Sequence, residues 1–189
     1  MALLRQHLNR QLLARGAERR NARRCCRAMA GADRPSSGPL VKICGLTNPE
    51  DAQTAVSAGA DMLGMIMWQK AKRAVSAETA AAIAGVARRG GARAVGVFVD
   101  EDAATISARC LAAGIPVAQL HGDGARSALP DLDPSLEVVY VLNCSHDGAP
   151  LTQPPSRLLE AMGRAGARLP EWVLLDGVQV GDRGQGPWE

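Results

Sequence analysis

The stretch Val41–Asp51 reads VKICGLTNPED and contains a short strand, a tight turn and the start of a helix. Val41–Cys44 is apolar apart from one lysine, as expected of a buried strand. A glycine then favours a turn, and Asn48 with Pro49 provides a helix cap followed by proline at the first helical position. Cys44 is thereby placed at the end of a strand, where a rigid element carries its side chain to an open edge.

From residue 41 onward, strand-like and helix-like segments alternate. The predicted strands are Val41–Cys44, Met62–Trp68, Ala94–Val99, Val117–His121, Glu137–Leu142 and Trp172–Asp176. The predicted helices are Pro49–Ala58, Ser76–Arg89, Asp102–Ala113 and Pro155–Ala165. The segment Asp123–Pro134 contains too many turn residues for a helix prediction. Six strands separated by crossovers predict a parallel sheet and an α/β fold.

Alternation along the strands indicates where the chemistry-bearing side chains point. Lys42 shares a face with Cys44, Gln119 shares a face with His121, and Asp176 lies on the corresponding face of the sixth strand. The opposite faces are apolar and suit contact with helices. Three strands therefore end in a polar group, namely Cys44, His121 or Asp176. In a parallel barrel these ends meet at one mouth, whereas in an open sheet they spread along one edge, and spacing alone leaves both architectures open.

Charge is distributed unevenly along the chain. Residues 1–40 contain nine arginines against two acids, a net charge of +7, which leaves −4 for residues 41–189 in a chain of net charge +3. An Arg-rich, acid-poor segment with leucines spaced by four is typical of an organelle transit peptide. There are two alternative interpretations: the segment could be a basic arm that binds nucleic acid, or a stretch outside the translated protein. We therefore divide the chain into a leader and linker, residues 1–40, and a globular part, residues 41–189.

The five cysteines do not indicate a disulfide framework or a zinc site, because their number is odd and no CxxC pair occurs. Cys110 lies within a helical pattern and is expected to be a small core residue. This cysteine usage suits a reducing compartment such as a stroma, a matrix or the cytosol. The leader, residues 1–40, contains no apolar run long enough to span a membrane.

Several motifs resemble those of the phosphoribosylanthranilate isomerase family. The segment Lys42–Thr47, KICGLT, followed by Glu50–Ala52, EDA, is similar to the opening of that family. The further motifs that match, in the family's order and spacing, are Gly59–Asp61, Arg73–Ser76, Val95–Val99, Gln119–Gly122 and Leu174–Asp176. Together they extend across nearly all of residues 41–188, so the resemblance covers the whole globular part.

The resemblance implies a (β/α)8 TIM barrel and one step of tryptophan biosynthesis. In that step N-(5-phosphoribosyl)anthranilate, a phosphorylated small molecule, undergoes an Amadori rearrangement to 1-(2-carboxyphenylamino)-1-deoxyribulose 5-phosphate. The reaction needs an acid and a base, and no metal or organic cofactor is implied. Because this pathway lies in plastids in photosynthetic eukaryotes, the resemblance also implies a chloroplast location, with mitochondrion or cytoplasm as alternatives.

The resemblance also assigns roles to residues of this chain. Cys44 is implied as the general base that removes the proton from the ribose C2 carbon, and Asp176 as the general acid that protonates the ring oxygen. Arg73 would hold the anthranilate carboxylate. His121 is expected either to line the mouth and bind substrate or to bond a backbone carbonyl. Lys42, on the face of Cys44, could supply the cation that a thiol base needs nearby.

The matching motifs end after the sixth strand. The family's barrel has eight strands, so about six βα units of parallel sheet are expected here. The loop after Asp176 normally carries two adjacent glycines, whereas Gly181–Gly184 reads GDRG. From these departures we expect a truncated or alternatively spliced form that lacks the phosphate-binding strands seven and eight, and that has little or no activity.

An incomplete barrel has a second implication. The first and sixth strands would become open edges that favour self-association or pairing with another chain. A catalytically impaired fragment that binds a partner is therefore the alternative function. Neither nucleic acid nor a membrane is expected as a partner of the globular part, because that part is acidic and has no interleaved aromatic and basic residues.

Overall fold

The computed structural model describes residues 3–5 and 39–177. Its strands are β1 Leu3–Arg5, β2 Lys42–Cys44, β3 Met62–Ile66, β4 Arg93–Phe98, β5 Val117–Leu120, β6 Glu137–Cys144 and β7 Trp172–Gly177. Its helices are α1 Pro49–Ser57, α2 Ala77–Arg89, α3 Ala103–Ala113, α4 Asp123–Ser127 and α5 Pro155–Ala161, with a 3-10 turn at Leu129–Asp131. The six predicted strands are thus β2–β7. The linker, the rest of the leader and the GDRG loop lie outside the described residues.

The seven strands form one sheet in the order β1-β7-β6-β5-β4-β3-β2. Every neighbouring pair from β2 to β7 is parallel, which confirms the predicted parallel α/β arrangement. In this register Cys44 pairs with Gly64, and Asn143 pairs with Asp176. Since parallel strands all end at the same edge, the loops that follow them are brought to one side of the sheet.

The two faces of the sheet are packed differently. One face contacts the helices through buried side chains such as Leu63, Phe98 and Tyr140, which pack with Ile83 and Ile106 of the helices. The opposite face carries a second buried apolar cluster near the amino ends of the strands, formed by Met62, Val95, Val117, Val139, Val141, Trp172 and Leu174. The predicted alternation is therefore confirmed for β3–β6, and it also places an apolar layer beneath the polar strand ends. The apolar faces of the first and sixth predicted strands were also expected to contact helices, but Ile43 of β2 is 40% exposed and Leu175 of β7 is 50% exposed.

Local signals explain where the helices begin and end. The Asn48 side chain accepts a hydrogen bond from the Asp51 backbone N–H at 2.7 Å, and Asp102 caps α3 in the same way through Thr105 at 2.8 Å. Helix α3 ends at Gly114, which has a left-handed backbone with φ of 66°. Within the described residues, no helix combines the length and the apolar character needed to cross a bilayer.

The expectation that Asp123–Pro134 lacks a helix is wrong for its first half, because Asp123–Ser127 forms α4. The Ser127 hydroxyl donates to the Asp123 carbonyl at 2.6 Å. The buried guanidinium of Arg126 donates to the Val141 carbonyl at 3.3 Å and so ties this turn to β6. Tertiary hydrogen bonds thus outweigh the weak local propensity of the segment.

The expectation of an open edge at the sixth strand also needs correction. The short strand β1 pairs antiparallel with β7, with Leu4 opposite Val173. The side of β7 that was expected to be free is therefore hydrogen-bonded over Trp172–Leu174. In the described part of the chain, β2 is the last strand on the other side of the sheet. Ile43, whose side chain lies on the face of β2 opposite Cys44, is 40% exposed.

Helix α3 offers a matched test of the core. Ile106 is fully buried, whereas Leu111 on the same helix is 54% exposed. We expect Ile106→Ala to lower the free energy of unfolding by about 2–5 kcal/mol, because it removes packed methylenes and leaves a cavity. Leu111→Ala should change it by about 0.5 kcal/mol or less. Chemical denaturation of both variants measures this, and equal losses would contradict the packing described here.

Candidate active site

Polar side chains end several strands on the face that does not contact the helices. Cys44 is the last residue of β2, His121 directly follows β5, and Asn143 and Asp176 pair across the ends of β6 and β7. Because the strands are parallel, all four lie at the carboxyl edge of the sheet. This edge is where parallel α/β folds carry their chemistry.

Cys44 packs against a glycine that the neighbouring strand supplies. A Cβ atom at Gly64 would lie 2.7 Å from Cys44 Sγ and 3.0 Å from Lys42 Nζ. Any larger residue there would displace the thiol, the ammonium group or both. Lys42 Nζ is shielded from solvent and has no hydrogen-bond partner among the described residues. The half-buried thiol and a buried cation therefore share the space above Gly64.

Arg73 lies in the loop between β3 and α2, over the turn that follows Cys44. Its Nη1 atom is 3.5 Å from the Gly45 carbonyl oxygen, within hydrogen-bonding distance. Gly45 has φ of +83°, and a Cβ atom there would lie 2.8 Å from the Arg73 guanidinium carbon. Glycine is thus required both for the backbone conformation and for the close approach of this side chain. The arginine is exposed at the same edge of the sheet as the thiol.

His121 and Asp176 are brought together at the other flank of this edge. Their Nε2 and Oδ2 atoms are 3.4 Å apart, with the histidine side chain 6% exposed and the aspartate side chain 27% exposed. Gln119 lies below on the same face, and its Nε2 is 3.4 Å from His121 Nδ1. His121 therefore lies at the carboxyl edge of the sheet in contact with Asp176, and its role in binding substrate stays a prediction.

The four residues predicted from sequence thus form two pairs. Cys44 and Arg73 lie around the end of β2, whereas His121 and Asp176 lie at the ends of β5 and β7. Strands β3 and β4 lie between β2 and β5, and strands β3–β6 lie between β2 and β7. A ligand that contacts both the thiol and the carboxyl has to extend across the concave face between them.

Two buried polar residues of this region were missed at the level of sequence. Arg126 donates to the backbone carbonyls of His121 and Val141 and to the Asp123 carboxylate, and so fixes the ends of β5 and β6. No local signal identifies it, because its segment reads as a turn. Asn143 is buried, and it follows the predicted strand Glu137–Leu142 by one residue, where the alternation of Val139 and Val141 would have placed it on the same face.

Burial distinguishes the thiols of the described residues from one another. Burial raises the pKa of Cys110 to about 12, although the nearby Arg109 cation acts in the opposite direction. Cys110 is therefore protonated and shielded at neutral pH, as expected of a core residue. Cys44 and Cys144 are both partly exposed. Burial likewise raises the pKa of Tyr140, whose hydroxyl donates to the Gln153 carbonyl at 2.7 Å.

Comparison with known proteins gives consistent matches. A family model described as N-(5'phosphoribosyl)anthranilate (PRA) isomerase matches residues 41–157. The chloroplastic N-(5'-phosphoribosyl)anthranilate isomerase 3 of Arabidopsis thaliana is 41% identical over 149 residues, which are 79% of this chain and 58% of that protein. The N-(5'-phosphoribosyl)anthranilate isomerase of Chlamydia caviae is 41% identical over 108 residues, 57% of this chain and 52% of that protein. The chain thus spans a little over half the length of these relatives.

Solved structures extend the likeness to the fold. The phosphoribosyl anthranilate isomerase of Thermotoga maritima aligns with a TM-score of 0.55 and 28% identity, covering 77% of this chain and 64% of that one. A phosphoribosyl anthranilate isomerase in complex with reduced 1-(o-carboxyphenylamino)-1-deoxyribulose 5-phosphate aligns with the same TM-score at 30% identity, over 74% and 65%. The six parallel strands therefore form a curled half-barrel of the TIM-barrel type, and the predicted fold class is confirmed.

Thiol accessibility can be checked directly. At pH 8 to 10 we expect an alkylating reagent to modify Cys44 and Cys144 in the folded protein and to leave Cys110 unmodified. The reason is that the Cys110 pKa of about 12 keeps its thiol protonated throughout this range, and the thiolate is the reactive form. Peptide mapping by mass spectrometry measures the labelling, and denatured protein serves as the positive control. Labelling of Cys110 at the rate of Cys144 would contradict its placement.

The space above Gly64 gives a second test. Gly64→Ala should lower the free energy of unfolding by about 1–3 kcal/mol, because the new Cβ would overlap Cys44 Sγ and lie 3.2 Å from its Cα. Gly85→Ala is the matched control. There the added Cβ meets only the flexible end of Arg89, and alanine in a helix is favoured by up to about 1 kcal/mol. A Gly64→Ala protein as stable as the Gly85→Ala protein would refute the close packing of β2 on β3.

Proposed function

Since this chain belongs to the N-(5'-phosphoribosyl)anthranilate isomerase family, we propose that it catalyses the Amadori rearrangement of N-(5-phosphoribosyl)anthranilate to 1-(2-carboxyphenylamino)-1-deoxyribulose 5-phosphate. The observation that carries the proposal is the position of Cys44 and Asp176. A thiol and a carboxyl group lie at the carboxyl ends of β2 and β7 on one face of the sheet, above a buried apolar layer. The proposed substrate is therefore a phosphorylated small molecule that extends between the two flanks.

The two groups suit the two proton transfers of the reaction. Asp176 would protonate the ring oxygen of the ribose, the bond from that oxygen to C1 would break, and the nitrogen lone pair would form a C1–N double bond. The thiolate of Cys44 would then take the proton from C2. The electron pair released from C2 would form the enol and neutralise the iminium nitrogen. Tautomerisation of the enol gives the ketone at C2, so the overall change is an isomerisation without an added reactant. Positioned acids and bases of this kind contribute about 10²–10⁴ in rate.

Arg73 and His121 would bind the substrate at opposite ends of the site. The Arg73 guanidinium is a planar fork that matches the planar anthranilate carboxylate, and its exposed position beside the Cys44 turn supports this role. His121 contacts the proposed acid, so it would orient Asp176 and border the ribose. Lys42 would stabilise the thiolate of Cys44, because a cation in a site shielded from solvent favours a nearby anion.

We also propose a chloroplast location, with mitochondrion or cytoplasm as alternatives. The support comes from the chloroplastic relatives of Arabidopsis thaliana and from the Arg-rich composition of residues 1–40.

The division into a leader, residues 1–40, and a globular part, residues 41–189, stays a prediction. Self-association through the free side of β2 also stays a prediction, and the exposed outer face of Ile43 is compatible with it.

The activity proposal can be tested on the purified chain. The motifs that end after the sixth strand led us to expect little or no activity, but one edge of the sheet carries both proposed proton-transfer groups, so we expect turnover of N-(5-phosphoribosyl)anthranilate. We expect Cys44→Ala and Asp176→Asn each to lower kcat by about 100-fold or more, because each removes a proton-transfer group. Cys144→Ala is the matched control, since this partly exposed thiol is the last residue of β6 and lies outside the proposed contacts, and it should leave kcat unchanged. A folded wild-type protein without turnover, or a fully active Cys44→Ala variant, would refute the proposal.

A further inference from the structure

Trp68 is an aromatic residue at the carboxyl edge of the sheet that the proposed mechanism does not use. It is the second residue after β3, and the ladder continues as far as Met67, whose N–H donates to the Val97 carbonyl at 2.9 Å. Gly64 of β3 lies on the face that carries the Cys44 thiol. Side chains of a strand alternate between the two faces, so Trp68 comes to that same face, beyond Gly64 at the open edge.

Two neighbouring side chains hold the indole ring in place. The indole Nε1–H donates to Asp100 Oδ2 at 3.0 Å, in the loop that follows β4. The Lys70 ammonium lies 5.7 Å from the centre of the indole ring and 3.4 Å from the same carboxylate oxygen. The Lys70 side chain is 75% exposed, so the ring face beneath it is turned towards solvent and not towards the core. A planar ligand can therefore stack on this face.

The other aromatic side chains of the described residues lie elsewhere in the fold. Phe98 and Tyr140 are buried against the helices, and Trp172 is buried in the apolar layer at the amino end of β7. Within the part of the chain that the structure describes, Trp68 is thus the aromatic residue that the carboxyl edge offers to a ligand.

Trp68 belongs to the same loop as Arg73. The N–H of Ala71 donates to the Trp68 carbonyl at 3.1 Å, and the N–H of Ala74 donates to the Ala71 carbonyl at 3.0 Å, so two consecutive turns connect the two side chains. The loop contacts the end of β2 through Arg73 and the end of β4 through Trp68. It therefore combines a cationic fork with an aromatic ring, and these two groups complement a planar aromatic acid.

We propose that Trp68 is a specificity-determining residue that stacks on the benzene ring of the anthranilate group whose carboxylate Arg73 holds. The inference rests on the proposed function, which brings the anthranilate group to this flank of the site. Aromatic pairs attract each other beyond the area that they bury. Asp100 positions the indole. Lys70 is held by an exposed ion pair of little strength, so it moves aside when the ligand ring arrives.

The first measurement uses the full chain and a ligand that does not react. The probe is reduced 1-(o-carboxyphenylamino)-1-deoxyribulose 5-phosphate, and the matched ligand is the same compound with its benzene ring saturated to cyclohexane. The chain has three tryptophans, and the indole N–H resonance that is lost in Trp68→Phe identifies the relevant one. At saturation we expect the aromatic ligand to shift this resonance through its ring current, and the saturated ligand to shift it much less.

Two variants separate stacking from a role in loop structure. Trp68→Leu keeps an apolar side chain but removes the ring, so we expect about a tenfold loss of affinity for the aromatic ligand and about a twofold loss or less for the saturated ligand. In turnover assays KM should rise about tenfold with kcat little changed, because stacking holds the ground state and the transition state alike. Trp68→Phe should keep most of the affinity. Leu111→Ala, at an exposed position of α3, is the control and should change neither affinity nor KM.

The outcomes separate this inference from the proposed function. If the wild-type chain shows no turnover but the aromatic ligand gives the expected shift and the affinity loss in Trp68→Leu, the proposed activity fails and the stacking contact stands. If the wild-type chain turns over and Trp68→Leu binds both ligands like the wild type, the stacking contact is refuted. Equal losses of affinity for both ligands would also refute it, since Trp68 would then only shape the loop. No binding of the aromatic ligand to the folded wild-type chain would overturn both proposals.

Discussion

The register of the parallel ladder from β2 to β7 is the constraint on which the candidate site depends. Each strand presents alternate side chains to the two faces of the sheet, and the ladder aligns these faces from strand to strand. A slip of one residue in β2 would turn Cys44 to the opposite face of the sheet and bring Ile43 to the face that carries the site. The same slip in β7 would exchange Asp176 for Leu175. In β7 the buried side chains of Trp172 and Leu174 oppose such a slip, so core packing and site geometry have a common cause there.

Much of this arrangement could be predicted from sequence, because it follows from the two-residue period of strands. That period placed Cys44, His121 and Asp176 on one face, and the glycine and proline signals placed the loops between them. The structure adds what depends on distance between separate strands. The contact between His121 and Asp176, and the close packing of Cys44 Sγ over Gly64, depend on the relative positions of separate strands. No local pattern contains that information.

The two segments whose structure was predicted wrongly, α4 and β1, differ from the prediction for similar physical reasons. Helix α4 forms in a segment of weak propensity because the Arg126 guanidinium bonds carbonyls of two strands, an interaction that local rules do not see. Strand β1 pairs with β7 because an unpaired strand edge offers free N–H and C=O groups to any extended segment within reach. In both cases, hydrogen bonds to backbone groups outweigh the secondary-structure preference of the local sequence.

The position of Cys44 at the open edge of the sheet has a consequence for the lifetime of the protein in its compartment. Peroxide oxidises accessible cysteines to sulfenic acid, and both Cys44 and Cys144 are partly exposed. Cys110, enclosed in the helix layer, is shielded from the same reaction. Oxidative damage at Cys44 would therefore remove the group proposed to act as the base while the core of the chain stayed intact.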